Sequence, residues 1–139
     1  MRFVLDTNVI VAALRSTRGA SAAVLRGVRE GRGILLLSTP LLLEYEAVCK
    51  EAVHLEAAGL SAEEVDMVLN VLVARAERVE TSYRWRPQLR DAGDELVLEA
   101  AVNGRADALA TFNTRDFAAA APRFGPDLIG PKELLRRMA

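Results

Sequence analysis

The amino-acid sequence predicts an α/β fold: three α/β/α layers around a central, mainly parallel sheet. Three observations predict it. Short unbroken apolar runs occur in "RFVL" at 2–5, "GILLLS" at 33–38 and "DALATF" at 107–112, as expected of strands buried on both faces. Segments with helical spacing of apolar residues separate them. Each run also passes directly into polar, helix-starting residues, "DTN", "STP" and "NTRDF", so strand gives way to helix without a hairpin.

The elements follow in order. Residues 2–5 form the first strand. Residues 8–15 and 20–30 read as helices, split by the turn-rich "STRG". The second strand, 33–38, leads into a helix that Thr39 can cap, with Pro40 at its first position and a reach to about Glu56. Ser61 and Glu64 have the spacing of a capping box. The helix they open carries apolar residues at 65, 68, 69, 72 and 73. "RVET" is a candidate short strand, followed by the loop "SYRWRPQLRDAG". Asp91 can cap "AGDELVLEAAVN", which Gly104 ends. The third confident strand, 107–112, runs into "NTRDF". After a proline- and glycine-rich stretch, Pro131 starts a terminal helix, "PKELLRRM".

Bulk properties narrow the function. The 139 residues suit one domain spanning 1–139. No run of 18 apolar residues offers a membrane span, and "MRFVLDTN" lacks the order of a secretory signal, so a cytoplasmic protein is expected. Cys49 and His54 are the sole cysteine and histidine; this disfavours a disulfide framework, a cysteine zinc cluster and a multi-histidine metal site. The formal charge is −1, and 16 of the 18 basic residues are arginine. Arginines cluster at 15–32 and around Trp85. Such stripes can face phosphates, and Arg15, Arg18, Arg90 and Arg115 are the candidates for substrate binding; solvated helix faces explain any one arginine equally.

Four acids are candidates for a site, although a Glu44 that snorkels to water, an Asp94 that caps its helix and an Asp116 in an ordinary turn are equally open readings. Asp6 ends the first strand; a helix cap and one carboxylate of a site at the strand's end are both open readings. Glu44 has Pro40, Leu41, Ala47 and Val48 as helical neighbours, whereas Glu46 has Lys50 four residues on. Asp94 faces Val97, Leu98 and Ala101, while Glu95, Glu99 and Asn103 line a face expected to be exposed. Asp116 follows the third strand. In an open α/β sheet, such positions gather at the carboxyl edge. Four like charges there would repel unless a cation neutralised them. Oxygen-only ligands suit Mg²⁺ or Mn²⁺, which activate water and stabilise charge developing on a phosphodiester. Thr7 and Asn8 are expected to cap the next helix and orient Asp6. A phosphotransferase using Asp6 as nucleophile is disfavoured, because the second aspartate wanted two positions on is Asn8.

The stretches "VLDTNVIVAAL", "LLEYEAV" and "RDAGDELVLEAAVNGRADALATFNTRDF", in that order, resemble the PIN-domain family. They are most similar to its bacterial branch of VapC-type toxin ribonucleases, over nearly the whole chain. The resemblance implies a metal-dependent endoribonuclease with Mg²⁺ or Mn²⁺ held by Asp6, Glu44, Asp94 and Asp116. It places the family's small polar positions on Thr7 or Asn8 and on Asn113. The acidic run "RDAGDE" is thinner than in relatives, and Asp91 and Asp94 both remain in it. An RNA substrate, a cognate antitoxin protein and a homodimer or higher homo-oligomer are the implied partners. The alternative is a catalytically inactive PIN-like module that binds RNA or protein.

Overall fold

The computed structural model describes residues 1–81, 92–118 and 125–138. Its elements are β1 (Arg2–Leu5), α1 (Thr7–Arg15), α2 (Ala20–Arg29), β2 (Ile34–Leu37), α3 (Thr39–Cys49), α4 (Ala52–Ala58) and α5 (Ala62–Arg75). They continue with β3 (Glu77–Arg78), α6 (Ala92–Asn103), β4 (Ala108–Ala110), α7 (Thr114–Phe117), β5 (Asp127–Ile129) and α8 (Pro131–Met138).

The strands pair in the order β3-β2-β1-β4-β5, and every pairing is parallel. The apolar runs explain the central position of β1, β2 and β4. Phe3, Val4, Leu5, Leu35, Leu36, Leu37 and Leu109 are all buried, and alanines flank Leu109. Such strands must be covered on both faces. Helix α6 packs across β1, β2 and β4. Helices α5, α2 and α8 pack side by side, with α5 against β2 and α8 against β4. The expected three-layer α/β/α arrangement is therefore present. In α8, Pro131, Leu134 and Met138 form the buried stripe, and Gly27 of α2 leaves room for the Met138 side chain.

Several local expectations are corrected. The helix from Thr39 does not reach Glu56: it stops at Cys49, Glu51 turns extended, and a second helix begins at Ala52. Its cap is Ser38, not Thr39, with Ser38 Oγ accepting from the Leu41 amide at 3.2 Å. The capping box of Ser61 and Glu64 forms in both directions. The strand in "RVET" lies slightly earlier, at Glu77–Arg78. Strand β5 was not anticipated; its Asp127–Leu128–Ile129 carries no alternation or long apolar run and is ordered by pairing with β4. The expected loop at 82–91, with Arg90, Trp85 and the cap candidate Asp91, lies outside the described residues.

Glycine plays an unexpected part where α6 ends. Gly104 follows the last helical residue, yet the left-handed position belongs to Arg105, at φ 53°. The Ala106 amide donates to Ala101 O at 2.9 Å and the Arg105 amide to Val102 O at 3.2 Å, the pairing of a Schellman end. Gly104 serves packing instead. A Cβ there would lie 2.8 Å from both Ala100 O and Leu36 Cδ1, and 2.9 Å from Val79 Cγ2.

The two neighbouring residues should thus respond oppositely. Gly104→Ala overpacks the seam between α6 and β2, and urea unfolding should show a loss of about 1–3 kcal/mol. Arg105→Gly relieves a left-handed residue and should hold or gain stability, by up to about 1 kcal/mol. Loss in both variants would show that the helix end does not divide its roles this way. Cys49 gives a pH test. Burial, then the charge of Glu51, pushes its thiol up to about 11. Native protein at pH 8 should resist iodoacetamide, with only on the order of a thousandth of the thiol ionised, whereas denatured protein should react promptly. The raised value contributes stability that is complete below about pH 8.5, the pKa of a free thiol. That contribution is lost as pH climbs towards 11.

Candidate active site

The strand order contains one reversal. From β1 the chain moves outward through β2 to β3; it then returns to β4 on β1's other side and moves on to β5. The connections leaving β1 and β4 therefore diverge, and a crevice opens between them at the carboxyl edge, the usual ligand position in open α/β sheets. Asp6 follows β1 at this point. Leu5 pairs with Ala110, so one step on, Asp6 stands beside Thr111. The Asp6 amide donates to Ala110 O at 2.9 Å, continuing the ladder to the edge.

Asp6 occupies the N-cap position of α1, but its side chain makes no capping bond. That removes the capping reading of the carboxylate. Instead Asp6, only 5% exposed, accepts at Oδ2 from the Thr111 hydroxyl at 2.7 Å. A buried carboxylate is costly without such donors. Thr111 Oγ1 in turn accepts from the Asn113 amide at 2.9 Å, and Asn8 Oδ1 accepts from the Phe112 amide at 3.5 Å. These bonds join the start of α1 to the turn after β4. Thr7 and Asn8 lie within the first turn of α1; they do not cap it, and Asn8 works across the crevice. Asn113 contributes its backbone and stands at the N-cap of α7 without a side-chain cap bond.

Helix α3 brings a second element to this edge. The fully buried Tyr45 donates from its hydroxyl to Leu5 O, the last carbonyl of β1. Burial, then the nearby charge of Asp6, holds the phenol well above its ordinary pKa, so it remains a neutral donor. Glu44, half-buried, directly precedes Tyr45 in α3. Asp94, also half-buried, lies in the first turn of α6, which packs against both α3 and β1. Asp116 is exposed on α7, with its amide donating to Asn113 O at 3.0 Å. Among the described residues, no three Asp, Glu, His or Cys side chains form a set that holds a metal ion.

The arginine candidates divide. Arg15 is at the far end of α1, about 12 Å from its start at 1.5 Å per residue, and donates to His54 Nδ1 at 2.7 Å. Arg18 and Arg115 are exposed, the first between α1 and α2 and the second beside Asp116. Arg90 lies outside the described residues. The expectation for Glu95 and Glu99 is overturned: they are 5% and 4% exposed, and Asn103 is half-buried. Helix α6 is enclosed by the sheet, α3 and α7, so its second face is covered as well; neither glutamate is without a partner.

Thr111 and Tyr45 are the residues that reading the sequence missed. For Thr111 a signal existed: "LATFN" ends an apolar strand on a polar residue as "VLDTN" does. For Tyr45 none did, since its partner is a backbone carbonyl 40 residues away.

This parallel sheet with an aspartate at the strand reversal fits a PIN domain. The PIN-domain family model matches residues 2–115, and the chain belongs to that family. Its fold is similar to a solved structure, VapBC2 from Rickettsia felis bound to a DNA fragment from their promoter. The two are 18% identical, with a TM-score of 0.60 over 93% of this chain and 97% of that one. No curated protein matches the chain.

Thr111→Val keeps the side chain's shape and removes both of its hydrogen bonds. Denaturant unfolding should show a loss of about 1–3 kcal/mol, because a buried carboxylate loses a donor. Thr111→Ser should recover much of it. Equal stability of the valine variant and the native protein would mean that Thr111 does not hold Asp6.

Proposed function

We propose that the chain is a divalent-metal-dependent endoribonuclease that hydrolyses RNA phosphodiesters, the toxin half of a toxin–antitoxin pair, acting as one domain in the cytoplasm. The observation that carries this reading is Asp6: a buried carboxylate at the strand reversal, released from capping and oriented by Thr111. Asp6, Glu44, Asp94 and Asp116 would hold the metal, with Thr7, Asn8 and Asn113 in support. The donor chemistry fits. His54 on α4 is bonded to Arg15 of α1, and Cys49 is buried in α3, which leaves oxygen donors at the edge, the kind Mg²⁺ and Mn²⁺ prefer. A bound metal activates water and stabilises charge building up on the phosphate. The chain's own part is to position. Thr111 fixes the Asp6 carboxylate, Tyr45 fixes the end of β1, and α3, α6 and α7 each deliver one further acid.

The partners follow from the same reading. The fold neighbour is a VapBC2 complex on promoter DNA, which supports an antitoxin as partner here. Self-association is proposed as well; Met67 and Val71 of α5, one helical turn apart, are 67% and 41% exposed. One observation favours the alternative of an inactive RNA- or protein-binding PIN module: among the described residues, the acids do not form a ready ligand set.

Cleavage of a mixed RNA pool decides between them. Chelator should abolish cleavage, and Mg²⁺ or Mn²⁺ should restore it. Asp6→Asn should lower the rate more than the 10–100-fold typical of losing a residue that merely supports a ligand. It should keep the native circular dichroism and an unfolding free energy within about 1 kcal/mol, since Asn still accepts from Thr111. Cleavage in excess chelator, or full activity in a folded Asp6→Asn protein, would sink the metal-nuclease reading.

A further inference from the structure

A cavity of about 200 Å³ opens where α3 begins and α5 ends. Its walls are Leu37, Leu42, Val73 and Ala76; Ser38, Thr39 and Arg78 supply its polar groups. It has no part in the site at Asp6, but it lies on the same edge. Phe3 pairs with Leu35, and the same offset sets Asp6 level with Ser38, one strand spacing away, about 4.8 Å. Leu37 pairs with Arg78, one strand further out. Asp6, the cavity and Arg78 therefore follow one another along a single edge.

Resting on the nuclease reading above, we propose that this cavity is a nucleoside subsite. It takes the base of the RNA nucleotide adjacent to the scissile phosphate at the edge, while Arg78 pairs with the next phosphate. The size suits one ring system: it is below the roughly 300–1,000 Å³ of pockets that enclose drug-sized ligands. Aliphatic walls match the two faces of a base, and hydroxyls match its edge. Ser38 Oγ accepts from the Leu41 amide, which leaves its proton to donate; Thr39 is exposed at the rim. Val73 is 44% exposed, although the buried face of its helix is Val65, Leu69 and Leu72. Among the described residues, Arg78 is held only by an exposed ion pair, Nε to Glu80 Oε1 at 3.3 Å. Such a pair is weak, and the planar guanidinium matches a phosphate in a forked geometry. A cation at the rim, on the strand beyond the cavity from Asp6, favours a nucleotide over an apolar protein side chain.

The test measures RNA binding by anisotropy in excess chelator, so it does not depend on cleavage. The probes are fluorescent single-stranded hexaribonucleotides, intact or with one abasic position walked along the chain. Val73→Trp fills the cavity from its partly exposed side, and Arg78→Ala removes the cation. Unfolding midpoints check that each variant is folded. Both variants should bind the intact probe about tenfold more weakly than the wild type. One abasic position should weaken the wild type by a similar factor and have little further effect on Val73→Trp. Wild-type binding without such a position, or unchanged RNA affinity in both folded variants, overturns the subsite and leaves the cavity to an apolar protein segment. If the pattern holds while the wild type cleaves no RNA with any metal, the subsite stands and the nuclease reading falls.

Discussion

The bond from the Thr111 hydroxyl to Asp6 is the constraint around which the carboxyl edge is built. A carboxylate only 5% exposed is tolerable where donors are fixed around it. Here the sheet itself fixes the donor. Thr111 stands level with Asp6 because Leu5 and Ala110 are in register, and its own amide donates to Ile129 O at 3.0 Å. A slip of one residue between β1 and β4 would turn Thr111 to the other face and take this donor from Asp6. The polar pair thus favours the register that the buried side chains of β1 and β4 also require.

The same logic recurs along the edge. Each parallel strand ends with backbone groups that the next element must satisfy. The end of β1 has Tyr45 from α3, and Ser38 at the end of β2 accepts from the first turn of α3. These two bonds tie α3 to both strands and carry Glu44 with it. At the opposite edge Arg2 holds the sheet together: its guanidinium reaches Glu77 on β3 and the Gly104 carbonyl at the end of α6. The Arg2 hydrogen bond holds the Glu77 carboxyl below its ordinary pKa.

Much of this was legible in the sequence, where local pattern and tertiary demand coincide. The three central strands had to be apolar throughout, the capping box of α5 is a purely local device, and Asp6 stood out at the end of a buried run. What stayed hidden depends on distant partners. Strand β5 has little strand character and exists because β4 needs a neighbour. The break between α3 and α4 falls within a pattern that would support one long helix. Glu95 and Glu99 follow the spacing of a solvated face, but α6 lies within a layer enclosed on more than one side. Helical periodicity marks which residues share a face; it does not count how many faces the fold will cover.

Charge gives the last step. Basic and acidic residues nearly cancel, at 18 and 19, so a count predicts neither affinity nor repulsion for RNA. The structure shows where the arginines are used. Arg2 bridges sheet and helix, Arg26 donates to Thr17 O, Arg32 pairs with Glu30, and Arg137 pairs with Asp127 and Glu133. These cations organise the chain and are poorly placed to neutralise phosphates. These four arginines thus add little to counterion release, which scales with the number of phosphates neutralised. On the proposed reading, the edge supplies affinity of its own: a cation gathered by the acids, Arg78 two strands away, and an apolar cavity between them. Such a surface selects a single strand threaded along the sheet over a duplex held by its backbone, because only an unpaired strand has a base free to leave its stack.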